Sequence, residues 1–257
     1  MRVTAGISSL CVALVAGPLG GCESVPITGR SQLQLVSGQQ EVQMGADAYK
    51  EILAKAKLST DPAANALVTR VGTRIAAATG RSELPWEFKV IDDPKTVNAF
   101  ALPGGKVAVY TGIIPVAHDE AGLAAVLGHE VSHVMARHSA ERMSEQLIVQ
   151  YGAAAVGGVL GINAEITQAG AGILANSILL PWGRKQESEA DHLGLIYMAK
   201  AGYDPHAARD LWVRMAEAAK GQSRPPEFLS THPSEETRVK QIEGWLPEAL
   251  TYYTPKP

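Results

Sequence analysis

Apolar residues recur at helical spacing in the first third of the chain and predict two amphipathic helices. The first spans residues 39–57, and its apolar positions are Val42, Ala46, Tyr49, Ile52 and Leu53. The second begins at Asp61-Pro62, an N-cap residue followed by a proline at the first helical position, and ends at Gly80.

The pattern then changes to the alternation of β-strands. Trp86, Phe88 and Val90 fall on one face of a predicted strand over 86–91. Two further short strands are joined at Pro103-Gly104-Gly105 and fit a hairpin, whose turn residues indicate a place near the edge of the sheet. Such an edge can bind an extended peptide by strand addition, although a closing hairpin without a ligand fits the spacing equally well.

An apolar helix in the middle of the chain carries His129-Glu130-Val131-Ser132-His133, an HExxH motif. Residues four apart share one helical face, so the two imidazoles can aim at one point. Zinc accepts neutral imidazole nitrogen, and Glu130 is placed to act as general base on a water at the metal. A surface helix with two histidines is the alternative. The apolar neighbours disfavour it, because buried imidazoles and carboxylates need partners.

A catalytic zinc usually has three protein ligands and one open position. The metzincin pattern, HExxHxxGxxH, is excluded because Ala136 and Ser139 stand where it needs glycine and histidine. His138 is five residues past His133, on another helical face, and is predicted to be a surface or structural histidine.

A better source of the third ligand is a predicted helix over 184–201. Glu187 and Asp191 share a face of this helix, while Glu189 points elsewhere. One carboxylate could bind zinc while the other accepts the spare N–H of a histidine ligand. A solvated acidic face is equally compatible with the spacing.

Three other stretches complete the C-terminal half. Helices are predicted over 204–220 and from Ser234 onward. The segment 152–180 is rich in Ala and Gly, and neither of its apolar runs reaches the about 20 residues that cross a bilayer. A pair of closely packed helices or a mobile cover beside the site is therefore expected, rather than a transmembrane hairpin.

Composition narrows the class of protein. At 257 residues with 46% apolar content, the chain can form one sizeable domain or two small ones. A net charge of −3 gives no electrostatic basis for binding nucleic acid. The two cysteines, Cys11 and Cys22, both lie in the N-terminal segment, which excludes a disulfide framework in the folded part.

The N-terminus has the features of a processed leader. Arg2 supplies positive charge, and the apolar stretch over 6–16 is too short to span a bilayer. Leu19-Gly20-Gly21-Cys22 resembles a bacterial lipobox, in which the cysteine is lipidated and starts the mature chain. An ordinary secretory signal or an uncleaved anchor are the alternatives. Glu23 follows the cysteine where aspartate would indicate inner-membrane retention, so the outer membrane is favoured.

These features divide the chain into four parts. They are a lipoprotein signal peptide (1–21), a tether (22–38), a metallopeptidase domain (39–250) and a polar tail (251–257).

Four motifs together resemble zinc metallopeptidase family forty-eight, which includes HtpX-type heat-shock proteases, OMA-type mitochondrial proteases and LoiP- and BepA-like bacterial envelope proteases. They are the HExxH, Glu-x-Glu-Ala-Asp at 187–191, Asn-Ala-Phe-x-x-Pro-Gly-Gly at 98–105, and Thr-His-Pro at 231–233 followed by Arg238. The resemblance runs from about residue 25 to residue 238. It implies an α+β, mainly helical fold, with a gluzincin-type metalloprotease domain whose small β-sheet places an edge strand beside the active-site helix.

The resemblance also implies residue roles. One Zn²⁺ per chain would be bound by His129, His133 and Glu187. Glu130 would be the general base, and Asp191 would orient a histidine ligand. His232 matches a histidine that approaches the metal and restrains activity in some members, and Arg238 matches a basic residue near the site; either is a candidate to stabilise the oxyanion. The implied substrate strand comprises Asn98, Ala99, Phe100, Gly104 and Gly105.

The sequence therefore predicts a zinc endopeptidase of the bacterial cell envelope, lipid-anchored on the periplasmic side, that degrades unfolded, damaged or misassembled proteins. The outer-membrane assembly machinery is a candidate partner. One alternative is a non-catalytic lipoprotein that uses zinc structurally and acts as a chaperone-like assembly factor. Glu130 favours the endopeptidase over this alternative, since a structural zinc site needs no adjacent base. A second alternative is a protease restrained by His232.

Overall fold

The computed structural model describes residues 22–146, 149, 152, 183–219, 228, 229, 232 and 237–255. The predicted signal peptide, Ser234 and all but one residue of the 152–180 segment lie outside these residues. No helix in the described ranges is long and apolar enough to cross a membrane.

Helices form most of the described chain. They are α1 (Gly38–Lys55), α2 (Pro62–Ala78), α3 (Ile114–Ala117), α4 (Glu120–Met135), α5 (138–146), α6 (183–200), α7 (His206–Ala219) and α8 (Arg238–Leu250). The predicted Asp61 N-cap is confirmed, because its carboxylate accepts the Ala63 N–H at 2.8 Å. The mainly helical α+β class is likewise confirmed.

Five short strands form two sheets. They are β1 (Cys22–Ser24), β2 (Ser31–Leu33), β3 (Glu87–Ile91), β4 (Ala99–Leu102) and β5 (Lys106–Tyr110). β5 is central in the larger sheet, parallel to β3 and antiparallel to β4. The predicted hairpin is confirmed, and its turn needs glycine, since φ is 79° at Gly104 and 76° at Gly105. Among the described residues, β4 is an edge strand.

Helix α4, which carries the HExxH motif, lies at the centre of the core. It packs against α2, α7 and β4. Its N-terminus is capped by Asp119, which accepts the Gly122 N–H at 2.8 Å. Twelve of its sixteen residues are buried, and they include His129 and Glu130. The apolar surroundings expected for the motif are therefore present.

Helices α4 and α6 approach each other closely at a pair of glycines. A Cβ atom on Gly194 would lie 3.0 Å from the carbonyl carbon of Gly128 and from the backbone nitrogen of His129. This contact is tighter than side chains allow without a shift of the backbone. The absence of side chains here brings the acidic residues of α6 up to the histidines of α4.

Residues 22–38, predicted as a tether, instead begin with a β-hairpin that packs on the domain. β1 and β2 pair from Cys22 opposite Leu33 to Ser24 opposite Ser31. The prediction missed these strands because their pattern is inverted. Gln32 and Gln34 are buried at 4% exposure, whereas Leu33 and Leu35 are 40% and 43% exposed. A search for apolar residues inside and polar residues outside finds no strand there.

The burial of Gln32 has a structural reason. Gln32 Nε2 donates to the backbone oxygen of Ala136 at 2.8 Å, just past the end of α4. Arg137 next to it donates to Glu41 at 2.7 Å and to the backbone oxygen of Val36 at 3.0 Å. Arg137 has a φ of 53°, so the chain turns sharply between α4 and α5. Residues 22–38 therefore hold this turn.

Candidate metal centre

Four side chains from three parts of the chain converge on one point. His129 and His133 come from α4, Glu187 from α6, and His232 from the residues before α8. His129 Nε2 lies 3.2 Å from His133 Nε2 and 3.1 Å from His232 Nδ1. Glu187 Oε2 lies 3.0 Å from His232 Nδ1 and 3.3 Å from His129 Nε2, and Glu187 Oε1 lies 3.4 Å from His133 Nε2.

These separations fit zinc. Ligands at about 2.0–2.1 Å from a tetrahedral Zn²⁺ lie roughly 3.3 Å from one another. The donor set of three imidazole nitrogens and one carboxylate oxygen is of the kind that zinc prefers. The predicted ligands His129, His133 and Glu187 are thus brought together, and His232 adds a fourth donor to the same group.

Glu130 is buried directly beside this donor set. Its Oε1 lies 3.3 Å from His232 Nε2. Burial raises the pKa of the Glu130 carboxyl, while the nearby histidines and the backbone N–H of Ala101 on β4 lower it in part. A carboxylate with a raised pKa suits a group that must take and return a proton.

His129 is supported directly by a carboxylate. Its Nδ1 lies 2.9 Å from Asp191 Oδ1, the contact predicted for this aspartate. Arg238 Nη2 donates to the same oxygen at 2.7 Å, and its guanidinium lies 3.4 Å from the centre of the Trp212 ring. Arg238 is therefore engaged behind Asp191, where it holds the carboxylate that orients His129.

His133 is supported through a second imidazole that the sequence did not single out as part of the site. His133 Nδ1 lies 2.8 Å from His138 Nδ1, and His138 Nε2 lies 3.1 Å from Glu189. Arg30 and Thr28 of the hairpin bind Glu189 at 2.8 and 2.5 Å. His138 is buried and begins α5, so it is not the surface histidine of a continuous helix.

Comparison with known proteins places the chain in a family. The model of Peptidase family M48 matches residues 62–246, a range that contains all four metal-binding side chains. The chain is a member of peptidase family M48.

The relatives of this M48 peptidase are named as metalloendopeptidases or proteases. It is 44% identical over 247 residues to the mitochondrial metalloendopeptidase OMA1 of Schizosaccharomyces pombe, covering 92% of this chain and 71% of the relative. It is 32% identical to OMA1 of Saccharomyces cerevisiae, covering 91% and 74%. It is 29% identical to the beta-barrel assembly-enhancing protease of Escherichia coli, covering 91% of this chain and 50% of that protein. The chain is thus a zinc metalloendopeptidase.

The two helical ligands of the M48 peptidase differ in electrostatics. Burial would lower the pKa of His129, but its hydrogen bonds with Asp191 and Glu187 raise it to about 9. Burial lowers the pKa of His133 well below its usual range. Burial would also raise the pKa of Glu187, yet the surrounding histidines bring it well below its usual range. Glu187 is therefore an anionic donor beside two imidazoles, one with a raised pKa and one with a lowered pKa.

The predicted substrate residues fall into two groups. Tyr110 of β5 donates its N–H to the backbone oxygen of Asn98 at 3.1 Å. In an antiparallel pair, alternate residues direct their backbone groups to the neighbouring strand. The backbone groups of Ala99 and Ala101 therefore face away from β5, toward the open edge of the sheet. The Ala99 N–H is taken by the side chain of Asn98 at 2.9 Å. Phe100 lies on β4 against Tyr49. Gly104 and Gly105 form the turn and pack on Val42 and Trp86.

Proposed function

We propose that this M48 peptidase hydrolyses unfolded or misassembled proteins of the bacterial cell envelope, with Glu130 as its general base. The observation that carries the proposal is the place of Glu130. It lies between the zinc-binding side chains and the edge strand β4, where the backbone of Ala101 reaches it. A structural zinc site has no need of a buried base beside it.

The chain's own residues supply most of the mechanism. Zinc, when bound, polarises the scissile carbonyl and lowers the pKa of a water. Glu130 takes the proton of the attacking water and passes it to the leaving amine. Of the two residues predicted to stabilise the oxyanion, Arg238 is bound to Asp191. His232, whose Nε2 lies 3.3 Å from Glu130, is the alternative donor if it does not restrain the enzyme.

An extended substrate chain would bind along β4. The carbonyls of Ala99 and Ala101 are directed to the open edge, so a substrate strand can pair with them. Recognition of this kind depends on backbone more than on side chains. It suits an enzyme that cleaves many unfolded proteins and spares folded ones, whose backbone is already paired.

The envelope location rests on the N-terminus and on one relative. Leu19-Gly20-Gly21-Cys22 supports lipid attachment at Cys22 on the periplasmic side, and Glu23 after it favours the outer membrane over the inner. The Escherichia coli relative is named for β-barrel assembly, which makes the outer-membrane assembly machinery a candidate partner. Other relatives are named mitochondrial, but a mitochondrial leader is rich in Arg, and residues 1–21 contain only Arg2.

The location is tested by labelling. Cells that express the full-length chain are grown with a radioactive fatty acid, and label on the purified protein is compared with that on Cys22→Ala. We expect label on the unchanged chain alone, in the outer-membrane fraction. Equal label on both proteins, or none on either, would remove the lipid anchor.

Catalysis is tested by casein hydrolysis and zinc content measured on the same full-length sample. Glu130→Gln keeps the size of the side chain and every zinc-binding residue, but cannot accept the proton. We expect about one zinc per chain in both proteins and a fall in hydrolysis by a factor of at least about 100 in the variant. Zinc in both with equal hydrolysis would exclude Glu130 as the base.

We also propose that His232 restrains the enzyme. A catalytic zinc keeps one position open, and His232 Nδ1 lies where it can fill that position. His232→Ala should then bind zinc and cleave casein faster than the unchanged chain. Zinc binding with slower cleavage would instead make His232 a donor to the oxyanion, and unchanged cleavage would remove both roles.

A further inference from the structure

We propose that Glu189, acting through His138, is a positioning residue for the zinc ligand His133, and that Arg30 of the β1–β2 hairpin holds Glu189 for this purpose. The first residues of the folded chain would then set how firmly the active site retains its metal. Zinc binding at this site does not depend on which proteins are cleaved.

The direction of each hydrogen bond follows from the metal. His133 presents Nε2 to the other donors, 3.2 Å from His129 Nε2. A neutral imidazole that binds metal through Nε2 carries its proton on Nδ1. His133 therefore donates to His138 Nδ1 across 2.8 Å. His138 must then carry its own proton on Nε2, which it donates to Glu189 across 3.1 Å.

Glu189 is placed to end this relay because one cation and one hydroxyl fix its two oxygens. Arg30 Nε donates to Oε2 at 2.8 Å, and Thr28 Oγ1 donates to Oε1 at 2.5 Å. Arg30 is itself clamped by Glu141, which it contacts at 2.5 and 2.9 Å. The carboxylate is buried, so these contacts define its position.

The path between His133 and His138 also depends on the hairpin. His138 can face His133 only because the chain turns at Ala136 and Arg137. Gln32 of β2 binds the Ala136 carbonyl at 2.8 Å, and Arg137 is bound to Glu41. The hairpin thus acts at two points, on the turn and on the carboxylate.

The test compares zinc affinity in full-length variants. Glu189→Gln keeps the shape and an oxygen acceptor but loses the charge that orients His138. The control is Glu248→Gln, since Glu248 also contacts a histidine, His192, at 2.7 Å, but neither residue contacts a metal-binding side chain. Zinc dissociation constants are measured by competition with a chelator, and the melting temperature of the metal-free protein reports on folding.

We expect Glu189→Gln to weaken zinc binding about 10-fold or more, with Glu248→Gln unchanged. The absorption spectrum of the Co²⁺-substituted protein should also change for Glu189→Gln alone, because the ligand field depends on how His133 is oriented. A lower melting temperature with an unchanged dissociation constant and spectrum would mean that Glu189 is only structural, and would overturn the proposal.

The contribution of the hairpin is tested with Arg30→Gln, whose side chain is 25% exposed, and the melting temperature of the metal-free variant reports on its folding. If Arg30 acts through Glu189, Arg30→Gln weakens zinc binding less than Glu189→Gln, and the double variant binds as Glu189→Gln does. Unchanged zinc binding in Arg30→Gln, or a fully additive effect in the double variant, would overturn the role of the hairpin.

Discussion

The two histidines of the HExxH motif lie one turn apart on the same helix, yet they are supported in different ways. His129 contacts a buried carboxylate, Asp191, which is bound to an arginine of 4% side-chain exposure, Arg238. His133 contacts a second imidazole, and the carboxylate and arginine come only after it. The support of His129 consists of two buried side chains. The support of His133 consists of three side chains, and the last of them, Arg30, is partly exposed to solvent.

This difference separates local from distant control of one metal site. Asp191 lies on α6, which contacts α4 at Gly194, and Arg238 lies over the ring of Trp212 on α7. The support of His129 is therefore part of the core. The support of His133 requires residues from the N-terminal hairpin, more than a hundred positions away. Events at the hairpin can therefore affect one ligand and leave the other in place.

The largest effect is expected when the support of His129 is broken. Asp191→Asn removes the charge that accepts the His129 proton and pairs with Arg238, so zinc affinity should fall about 10- to 100-fold. Asp204→Asn is the control, because Asp204 contacts His206 at 2.7 Å on the surface. Competition with a chelator measures the zinc affinity of both variants. Equal affinities would mean that Asp191 does not support the metal.

Removing the arginine that supports His129 through Asp191 should destabilise the fold. Arg238→Gln leaves Asp191 buried without its cation, and the free energy of unfolding should fall by about 3 kcal/mol. Arg209→Gln, an exposed arginine paired with Asp210 and Glu243, should change it by less than about 0.5 kcal/mol. Urea denaturation of metal-free protein checks this. A loss as small as that of Arg209→Gln would count against the buried pair.

Both supports should weaken together when α6 is displaced, because α6 carries Asp191 and Glu189. Gly194→Ala places a methyl 3.0 Å from the backbone of α4, and the overpacking should cost about 1–3 kcal/mol. Gly244→Ala, whose added methyl meets nothing within 4 Å, is the matched control. Zinc affinity and urea denaturation are measured in parallel. Stability equal to that of Gly244→Ala would show that the helices can separate freely.

The smallest expected effect is a difference in how salt changes the stability that each support contributes. Arg30 is partly exposed and Arg238 is not, so only the interactions of Arg30 are open to screening. The difference in unfolding free energy between the unchanged chain and Arg30→Gln should shrink between about 0.1 and about 1 M NaCl. The corresponding difference for Arg238→Gln should stay nearly constant. Equal salt dependence would mean that the two supports are equally solvated.

The parts of the site predicted from the sequence are those encoded locally. His129 and His133 share a helical face through their spacing alone. Glu187 and Asp191 share another face by the same rule, and packing at Gly194 decides in favour of the metal over a solvated acidic face. The β4–β5 hairpin follows from Pro103-Gly104-Gly105. His232 was identified only by resemblance, since nothing in its own neighbourhood points to α4.

The support of His133 was missed for a physical reason. The turn after α4 contains neither proline nor glycine, and Arg137 adopts its φ of 53° because residues of the N-terminal segment bind it. Helical spacing therefore placed His138 on the wrong face. Residues 32–35 alternate between Gln and Leu, which is the pattern of a strand. This alternation would have predicted β2 if the glutamines had been taken as the buried face.

The start of β1 at Cys22 has a consequence for where the enzyme works. A loose segment over 22–38 would have let the domain range on the order of 50 Å from its attachment point. The hairpin removes this freedom, because strand pairing begins at Cys22 itself and leaves no loose segment between Cys22 and the domain. With the lipid proposed on Cys22, the catalytic domain would lie against the bilayer in a fixed orientation. It would then cleave only those chains that linger within a few nanometres of the membrane surface.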